Sequence, residues 1–388
     1  MSQFTPWKAG VTLDKRHLHE KEWKQIGIHA LQSKKIAYCL MAGGQGTRLG
    51  CVGPKGLYQP GLHGNRCLFQ IQADRFLAAS RKYQFELPPW LIMTSYATHE
   101  DTVRTFTENN YYHYPHDKVY FFQQGTLPSK GSNNEILMLH GKVVENPDGS
   151  GGVIPALHRS GLASMLFEEK YEMLIIYNVD NLTVELPDPT YAGFLLDLEL
   201  DASAKGLAKA RPDEAVGVFA TNAMGKPCVL EYTDTPKELL AEFKMGNAGI
   251  YAFSVRFLMD LYQKEVYTHR SWKKVPHDGD LNPTEPNAWK EETFIFDWFP
   301  FTEKFAWWEI EREEEFAPLK NADPNPIDSP GSARKLWYLK WRNRLKTAGI
   351  HVPNDAIIDV SPDAEFWNEN DWCKWVDSNS IKLPLYVE

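Results

Sequence analysis

The stretch Tyr38–Gly56, YCLMAGGQGTRLGCVGPKG, joins an apolar run to a chain of glycines that also carries Arg48 and Lys55. The apolar part, KIAYCLMAG at 35–43, predicts a buried strand. The glycines predict a loop whose backbone N–H groups can converge on an anion, because glycine puts no side chain in the way. Arg48 can bind phosphate through its planar guanidinium, and Lys55 as a point charge. We therefore predict a phosphate site at the end of this strand.

Other readings of the glycine loop fit less well. The dinucleotide fingerprint G-x-G-x-x-G would start at Gly44, but its third glycine position holds Leu49. A Walker A loop needs Lys followed by Ser or Thr, whereas Lys55 stands between Pro54 and Gly56. A tight turn without a ligand is the remaining alternative, and it would need fewer glycines than this loop has.

Strand-like and helix-like segments alternate over most of the chain. Apolar runs at 90–95, 119–125 and 173–180 predict buried strands, and the spacing of apolar residues at 67–83 predicts a helix. A second helix is expected to begin after Thr98, which would be its N-terminal capping residue. This alternation predicts an α/β fold with a doubly wound, mostly parallel sheet, whose ligands lie beyond the carboxyl ends of the strands.

The second half of the sequence is richer in strands and predicts a mixed sheet. FIFDWF at 294–299 is one of the strand-like runs, and the polar, proline-containing stretch 268–292 is expected to be a long loop. Residues 321–331 resemble a linker, and one helix is expected after them.

Composition excludes several classes of protein. The 388 residues carry a net charge of -9, which argues against a nucleic-acid or anionic-membrane partner. No apolar run approaches the roughly 20 residues of a membrane span, and the amino terminus has no signal-peptide core. The five cysteines are odd in number and lack paired spacing, so neither a disulfide framework nor a zinc site is indicated. We expect a soluble, cytoplasmic protein.

Two further residues are candidates for binding phosphate or metal. Asp180, in NVDN at the end of a buried run, could hold Mg²⁺ (or Mn²⁺) together with substrate phosphates, or could cap a turn. Lys320 follows the acidic run at 311–315, where a solvated edge and a phosphate-binding cation are both open readings. The D-x-D spacing in HDGD at 277–280 is better explained by a turn.

Taken together, several stretches resemble the UDP-N-acetylhexosamine pyrophosphorylase family, within the UDP-sugar pyrophosphorylases. They occur in this order: LMAGGQGTRLG, PKGLY, LFQIQADR, FFQQGTLP, NPDGSGG, YNVDN, AVGVF, LEYTD, GNAGIYAFS, FIFDWF, EREEEFAPLKNAD and DSPGSAR. The resemblance implies a Rossmann-like nucleotidyltransferase domain with a central mixed sheet at 35–320. An amino-terminal helical segment at 1–34 and a small carboxyl-terminal region at 321–388 would flank it.

The resemblance also implies residue roles. The residues that would surround UTP are Gly43, Gly44, Gly46, Thr47, Gln124 and Gly149. Of these, Gln124 and Gly149 would contact uracil. Three cations would act on the phosphates, namely Arg48, Lys55 and Lys320, with Asp180 holding Mg²⁺. A sugar-binding set would comprise Ser150, Gly217, Glu231, Asn247, Phe294 and Phe296.

The implied reaction transfers UMP from UTP to N-acetylglucosamine 1-phosphate, giving a UDP-sugar and pyrophosphate, by a monomeric enzyme. Ser150 stands where the family has asparagine, near the acyl arm of the sugar, so glucose 1-phosphate or galactose 1-phosphate remain alternative substrates. A sugar-nucleotide-binding protein without catalysis is the alternative of a different class. An NAD-linked oxidoreductase is disfavoured by Leu49.

Overall fold

A computed structural model describes residues 4–232, 235, 239–378 and 383–387. The helices are α1 Leu13–Gln32, α2 Leu68–Tyr83, α3 His99–Glu108, α4 Val153–Arg159, α5 Leu162–Glu168, α6 Pro189–Asp197, α7 Val255–Asp260, α8 Arg312–Glu315, α9 Pro330–Thr347 and α10 Glu369–Ser378. In the described ranges, none of them combines the length and the apolar character that crossing a bilayer requires.

The strands are β1 Thr5–Pro6, β2 Gly10–Val11, β3 Ile36–Met41, β4 Trp90–Thr94, β5 Val119–Gln123, β6 Thr126–Pro128, β7 Met138–Leu139, β8 Lys142–Val143, β9 Glu145–Pro147, β10 Met173–Asn178, β11 Ala202–Ala208, β12 Val218–Thr221, β13 Pro227–Leu230, β14 Met245–Ser254, β15 His269–Lys273, β16 Ala288–Glu292, β17 Phe305–Ile310, β18 Ile358–Val360 and β19 Leu385–Val387.

The central sheet runs in the order β2-β17-β11-β14-β10-β3-β4-β5. Its neighbouring strands are parallel, except that β14 is antiparallel to both β10 and β11. Strand β12 pairs with β14 of this sheet, and it also pairs with β1 and with β13. The predicted α/β fold with a mixed, mostly parallel sheet is confirmed.

Both faces of the sheet are covered, which explains why its central strands have no polar face. All six residues of β3 are buried. Tyr38 and Leu40 belong to a core shared with α2 and α6, whereas Ala37 and Cys39 belong to a second core shared with α4 and α5. This period of two is the alternation expected of a strand between two helical layers.

The order of the strands places a crevice beside β3. The chain leaves β3 through α2 to β4 and through α3 to β5, and β10 then lies on the opposite side of β3. The parallel register pairs Met41 with Asn178, so the segments that follow β3 and β10 begin side by side. Ligands of open α/β sheets bind at such a switch point.

Two predictions for the second half were wrong. FIFDWF is not a strand, because Ile295–Phe301 form a 3₁₀ turn in which Phe296 and Phe299 are buried. An apolar run that is buried on all sides has the same composition in either state. The stretch 268–292 is not a plain loop, because β15 and β16 pair in antiparallel register and Trp272 packs against Trp289 with ring centroids 4.7 Å apart.

The remaining elements agree with expectation or add to it. The helices predicted at 67–83, after Thr98 and after residue 331 are present as α2, α3 and α9. HDGD forms a turn in which His277 and Asp280 bridge each other. Strands β1 and β2 had no clear signal in the sequence, and they join the central sheet through β12 and β17.

Candidate functional site

The glycine loop folds back on itself at the carboxyl end of β3. The Lys55 N–H donates to the Gly44 carbonyl at 3.0 Å, and the Gly46 N–H donates to the Gly53 carbonyl at 2.9 Å. Between them, Thr47–Leu49 form one 3₁₀ turn that ends at Gly50. A Cβ on Gly43 would lie 2.2 Å from Oε1 of Gln124 and 3.3 Å from the Ser95 backbone nitrogen, so the Gln124 side chain packs directly against this position.

Lys55 and Asp180 meet at the switch point. Nζ of Lys55 lies 3.1 Å from Oδ2 of Asp180, and both side chains are largely shielded, at 14% and 17% exposure. The pair spans 125 residues of sequence, so it exists because β3 and β10 are neighbours in the sheet. A cation and a carboxylate are thereby fixed at the edge of the sheet where the glycine loop begins.

Lys320 lies on a segment that runs alongside Asp180. The Leu319 N–H donates to the Asp180 carbonyl at 2.9 Å, which places the next residue at the same edge. The Lys320 side chain is exposed. Burial and the charge of Asp180 raise the pKa of the Asp328 carboxyl while the charge of Lys320 lowers it, so these three groups are close enough to influence one another.

Arg48 is the predicted cation that the structure does not join to Lys55, Asp180 and Lys320. Its side chain is exposed on the 3₁₀ turn of the glycine loop. No hydrogen bond or ion pair joins its guanidinium to any residue in the described part of the chain. It borders the loop as a cation that is available to a ligand.

A cleft of about 940 Å³ opens beyond the carboxyl ends of β4 and β5. Its lining residues include Ser95, Tyr96, Gln124, Gly125, Asp148 and Arg159. The Gln124 N–H donates to the Thr94 carbonyl at 2.9 Å, which fixes this residue at the end of the sheet. Gln124, predicted from the sequence, therefore combines a place in this cleft with contact to Gly43.

The turn that contains Gly149 adjoins this cleft through Asp148, which is one of the lining residues. Asp148 is buried, and its N–H donates to the Gly125 carbonyl at 3.0 Å. Burial raises the pKa of its carboxyl, opposed by the charge of Arg159. Gly149 has φ 87° and ψ -177°, and a Cβ there would lie 2.3 Å from the Thr293 carbonyl oxygen. Only glycine fits both that backbone conformation and that approach.

We expect Gly149→Ala to raise KM for the nucleotide by about tenfold or more, because backbone strain of this kind costs on the order of 1–3 kcal/mol and would displace the turn. Gly161→Ala is the control, since Gly161 also has a positive φ (77°) but a Cβ there meets nothing within 4 Å. Steady-state kinetics with the nucleotide varied would show the difference. Equal KM values for the two variants would contradict the predicted contact between this turn and the nucleotide.

The two predicted phenylalanines form an aromatic wall next to that turn. The rings of Phe294 and Phe296 lie 5.0 Å apart between centroids. The Phe294 N–H donates to Oδ2 of Asp297 at 2.6 Å, and His269 reaches the same carboxylate at 3.0 Å. The Ile295 N–H donates to Oγ of Ser150 at 3.1 Å, so the predicted Ser150 contacts the main chain of the wall.

The other predicted sugar-binding residues cluster around the start of β14. The Asn247 N–H donates to the Gly217 carbonyl at 2.7 Å, and a Cβ on Gly217 would lie 3.0 Å from Oε1 of Glu231. The Asn247 side chain donates to the hydroxyl of Tyr251 at 2.9 Å. The group adjoins the switch point, because the Asn178 amide donates to the Gly249 carbonyl at 3.2 Å.

Several residues at the site were not singled out by sequence reasoning. Asp148 and Tyr251 lie inside quoted motifs, NPDGSGG and GNAGIYAFS, where attention to each polar neighbour of a glycine could have found them. The His269–Asp297 pair joins positions 28 residues apart and has no local signal.

A buried ionic cluster lies behind the Lys320 segment. Nζ of Lys205, on β11, lies 2.7 Å from Oδ2 of Asp188 and 2.5 Å from Oε1 of Glu315, and Lys205 is 1% exposed. Although burial opposes it, the two carboxylates raise the pKa of the Lys205 ammonium. Burial raises the pKa of Glu315, which shares that ammonium with Asp188. In the described ranges, the carboxylates of Glu185, Asp188 and Glu315 form a cluster whose oxygens are close enough to surround a metal ion. The Lys205 ammonium, however, already donates hydrogen bonds to Asp188 and Glu315.

The glycine loop, Lys55 and Asp180 therefore lie together at the switch point of an α/β sheet, the place where such sheets bind phosphorylated ligands. A family model described as UTP–glucose-1-phosphate uridylyltransferase matches residues 1–323. The chain therefore belongs to this family of uridylyltransferases, the UDP-sugar pyrophosphorylases, and the resemblance seen in the sequence is confirmed.

Individual relatives support the same assignment. UDP-N-acetylglucosamine diphosphorylase 2 of Arabidopsis thaliana is 36% identical over 396 residues, covering 94% of this chain and 78% of the relative. The structure of a Trypanosoma brucei uridine diphosphate N-acetylglucosamine pyrophosphorylase with an inhibitor superposes with a TM-score of 0.82 at 25% identity, over 100% of this chain and 86% of that one. An Entamoeba histolytica structure matches with a TM-score of 0.87 at 27% identity, over 99% and 100% of the two chains.

Proposed function

We propose that this chain is a UDP-N-acetylglucosamine pyrophosphorylase, which transfers UMP from UTP to N-acetylglucosamine 1-phosphate and releases pyrophosphate. The observation that carries the proposal is the meeting of the glycine loop with Lys55 and Asp180 at the switch point, in a chain of the uridylyltransferase family. The names of the Arabidopsis and Trypanosoma relatives support the N-acetylated sugar.

In the proposed reaction, an oxygen of the sugar phosphate attacks the α-phosphorus of UTP in line. The new P–O bond forms while the bond from the α-phosphorus to the bridging oxygen breaks, and that oxygen leaves with pyrophosphate. The attacking oxygen is already anionic at neutral pH, so the reaction needs no general base. Catalysis then consists of holding two polyanions together and stabilising the charge of the transition state.

The cations of the site suit that task. Lys55 is held at the mouth of the glycine loop by Asp180, and it can place its ammonium on the phosphates of the nucleotide. Lys320 is exposed at the same edge, where it can bind the phosphate of the sugar. Arg48 can add its guanidinium to the triphosphate from the loop. The backbone of Gly43, Gly44 and Gly46 and the side chain of Thr47 would surround the same group.

Asp180 fits the requirements of a magnesium ligand. Its carboxylate is partly exposed at the edge where the phosphates would lie, and its carbonyl is fixed by Leu319. Mg²⁺ favours oxygen ligands and is usually bound by one or two carboxylates together with substrate phosphates and water. Bound there, Mg²⁺ (or Mn²⁺) would neutralise phosphate charge. The chain itself supplies the carboxylate and the neighbouring Lys55.

The cleft beyond β4 and β5 and the group of residues around the start of β14 suit the two ends of the product. Gln124 and Gly149 would contact uracil in the cleft beyond β4 and β5. Gly217, Glu231 and Asn247 would line the sugar side, with Glu231 accepting from sugar hydroxyls. Phe294 and Phe296 would form its wall. A monomer that acts in the cytoplasm on UTP and a sugar 1-phosphate is part of the same proposal.

Pyrophosphate release tests the choice of sugar. The chain is incubated with UTP and Mg²⁺ and with N-acetylglucosamine 1-phosphate, its galacto epimer or glucose 1-phosphate. We expect kcat/KM for the N-acetylated sugars to exceed that for glucose 1-phosphate by about tenfold or more, because a pocket that binds a polar substituent discriminates against its absence. A preference for glucose 1-phosphate would contradict the proposed substrate and retain the chemistry.

A further inference from the structure

The aromatic wall of the proposed sugar pocket is held by side chains from elsewhere in the chain. Its 3₁₀ turn starts at Ile295, and the N–H groups at the start of such a turn have no partner inside it. The Phe294 N–H is satisfied by Asp297, three residues further on. The Ile295 N–H is satisfied by the hydroxyl oxygen of Ser150, which is 145 residues away in sequence.

This bond is one of several between the Gly149 turn and the wall. The Thr293 N–H donates to the Asp148 carbonyl at 2.8 Å, and the Gly151 N–H donates to the Thr293 carbonyl at 2.9 Å. The indole of Trp298 donates to the Gly151 carbonyl at 3.0 Å. These three bonds have a main-chain acceptor, so substituting the acceptor residue does not by itself remove them. The bond of Ser150 is the one in this group whose acceptor belongs to a side chain.

The position of that bond matters because Ile295 lies between the two wall residues. Ile295 is fully buried, so its N–H has no access to bulk water and would be costly to leave without an acceptor. Losing the acceptor would favour a shift of the turn, and such a shift would move Phe294 and Phe296 together. The same bond would not affect Lys55 or Asp180, which follow β3 and β10.

We propose that Ser150 is a positioning residue for the sugar pocket, which acts through the main chain of Ile295 to set the distance between the aromatic wall and the Gly149 turn. This inference rests on the proposed function. It gives Ser150 control over the recognition of the sugar rather than over the transfer step or the binding of UTP.

Binding and kinetics of Ser150→Ala and Ser150→Thr test the proposal. For Ser150→Ala, we expect KM for the preferred sugar 1-phosphate to rise about fivefold, which is the size of one net hydrogen bond. KM for UTP should stay near the wild-type value, while the melting temperature should fall modestly because the buried Ile295 N–H loses its acceptor. Ser150→Thr keeps the hydroxyl and should restore most of the loss. Ser160→Ala is the control, because the hydroxyl of Ser160 donates locally to the Leu157 carbonyl.

A calorimetric comparison of UDP with UDP-N-acetylglucosamine checks the same point without turnover. The affinity gained from the sugar should fall about fivefold in Ser150→Ala while the affinity for UDP is unchanged. An unchanged gain, or an equal loss for both ligands, would overturn the positioning role and leave the proposed function standing. A wild-type chain that binds neither ligand would overturn both.

Discussion

Replacing Lys55 by alanine should lower kcat by about 100- to 1,000-fold, the usual cost of removing one preorganised group that stabilises transition-state charge. Lys55 is held within 3.1 Å of Asp180 at the mouth of the glycine loop, so its ammonium lies where a triphosphate would enter. Its loss would remove the one lysine of the glycine loop. Initial rates of pyrophosphate release at saturating UTP would measure the effect.

The fold should tolerate this change. Asp180 remains partly exposed at 17%, so loss of its partner leaves a carboxylate that water can solvate. Lys21→Ala, an exposed lysine on α1, is the matched control and should keep wild-type turnover. Near-normal turnover of Lys55→Ala would remove this residue from the mechanism.

The second large effect concerns stability. Lys205→Met should lower the free energy of unfolding by about 3–5 kcal/mol, because it leaves two buried carboxylates without their cation. Asp188 also caps α6 by accepting from the Tyr191 N–H at 3.0 Å, and Glu315 leads into the segment that carries Lys320. Denaturant titration would give the loss, and turnover measured below the midpoint would show whether that segment is disturbed.

Two controls separate this effect from a general loss of charge. Lys35→Met breaks the pair with Glu172, whose side chain is 49% exposed, and should cost less than about 1 kcal/mol. Lys205→Met combined with Glu315→Gln removes one of the stranded charges and should recover part of the stability. If Lys205→Met proved as stable as Lys35→Met, the buried cluster would not hold this part of the fold together.

The sequence was sufficient for the parts of the molecule that depend on local pattern. The strand at 35–43 followed from its unbroken apolar run and the helix at 67–83 from the spacing of its apolar residues, and alternation of the two types predicted the doubly wound sheet. The approach of Lys55 to Asp180 was foreseeable as well, because both follow buried parallel strands and such ends share one edge of a sheet.

The parts that the sequence did not indicate depend on contacts between distant segments. FIFDWF became a 3₁₀ turn because Ser150 and Asp297 satisfy its first N–H groups and both faces of the run are buried. The Lys205 cluster joins three separate segments, and no single segment has a pattern that requires it. Charged residues around Trp272 and Trp289 gave the β15–β16 hairpin the composition of a loop.

Phosphorus NMR of one reaction tests the central claim most directly. The chain is mixed with UTP, Mg²⁺ and N-acetylglucosamine 1-phosphate, and the products are followed over time. Transfer of UMP predicts the paired diphosphate signals of a UDP-sugar together with an equal amount of free pyrophosphate. Formation of UDP and inorganic phosphate, or unchanged UTP with every sugar 1-phosphate offered, would contradict the account.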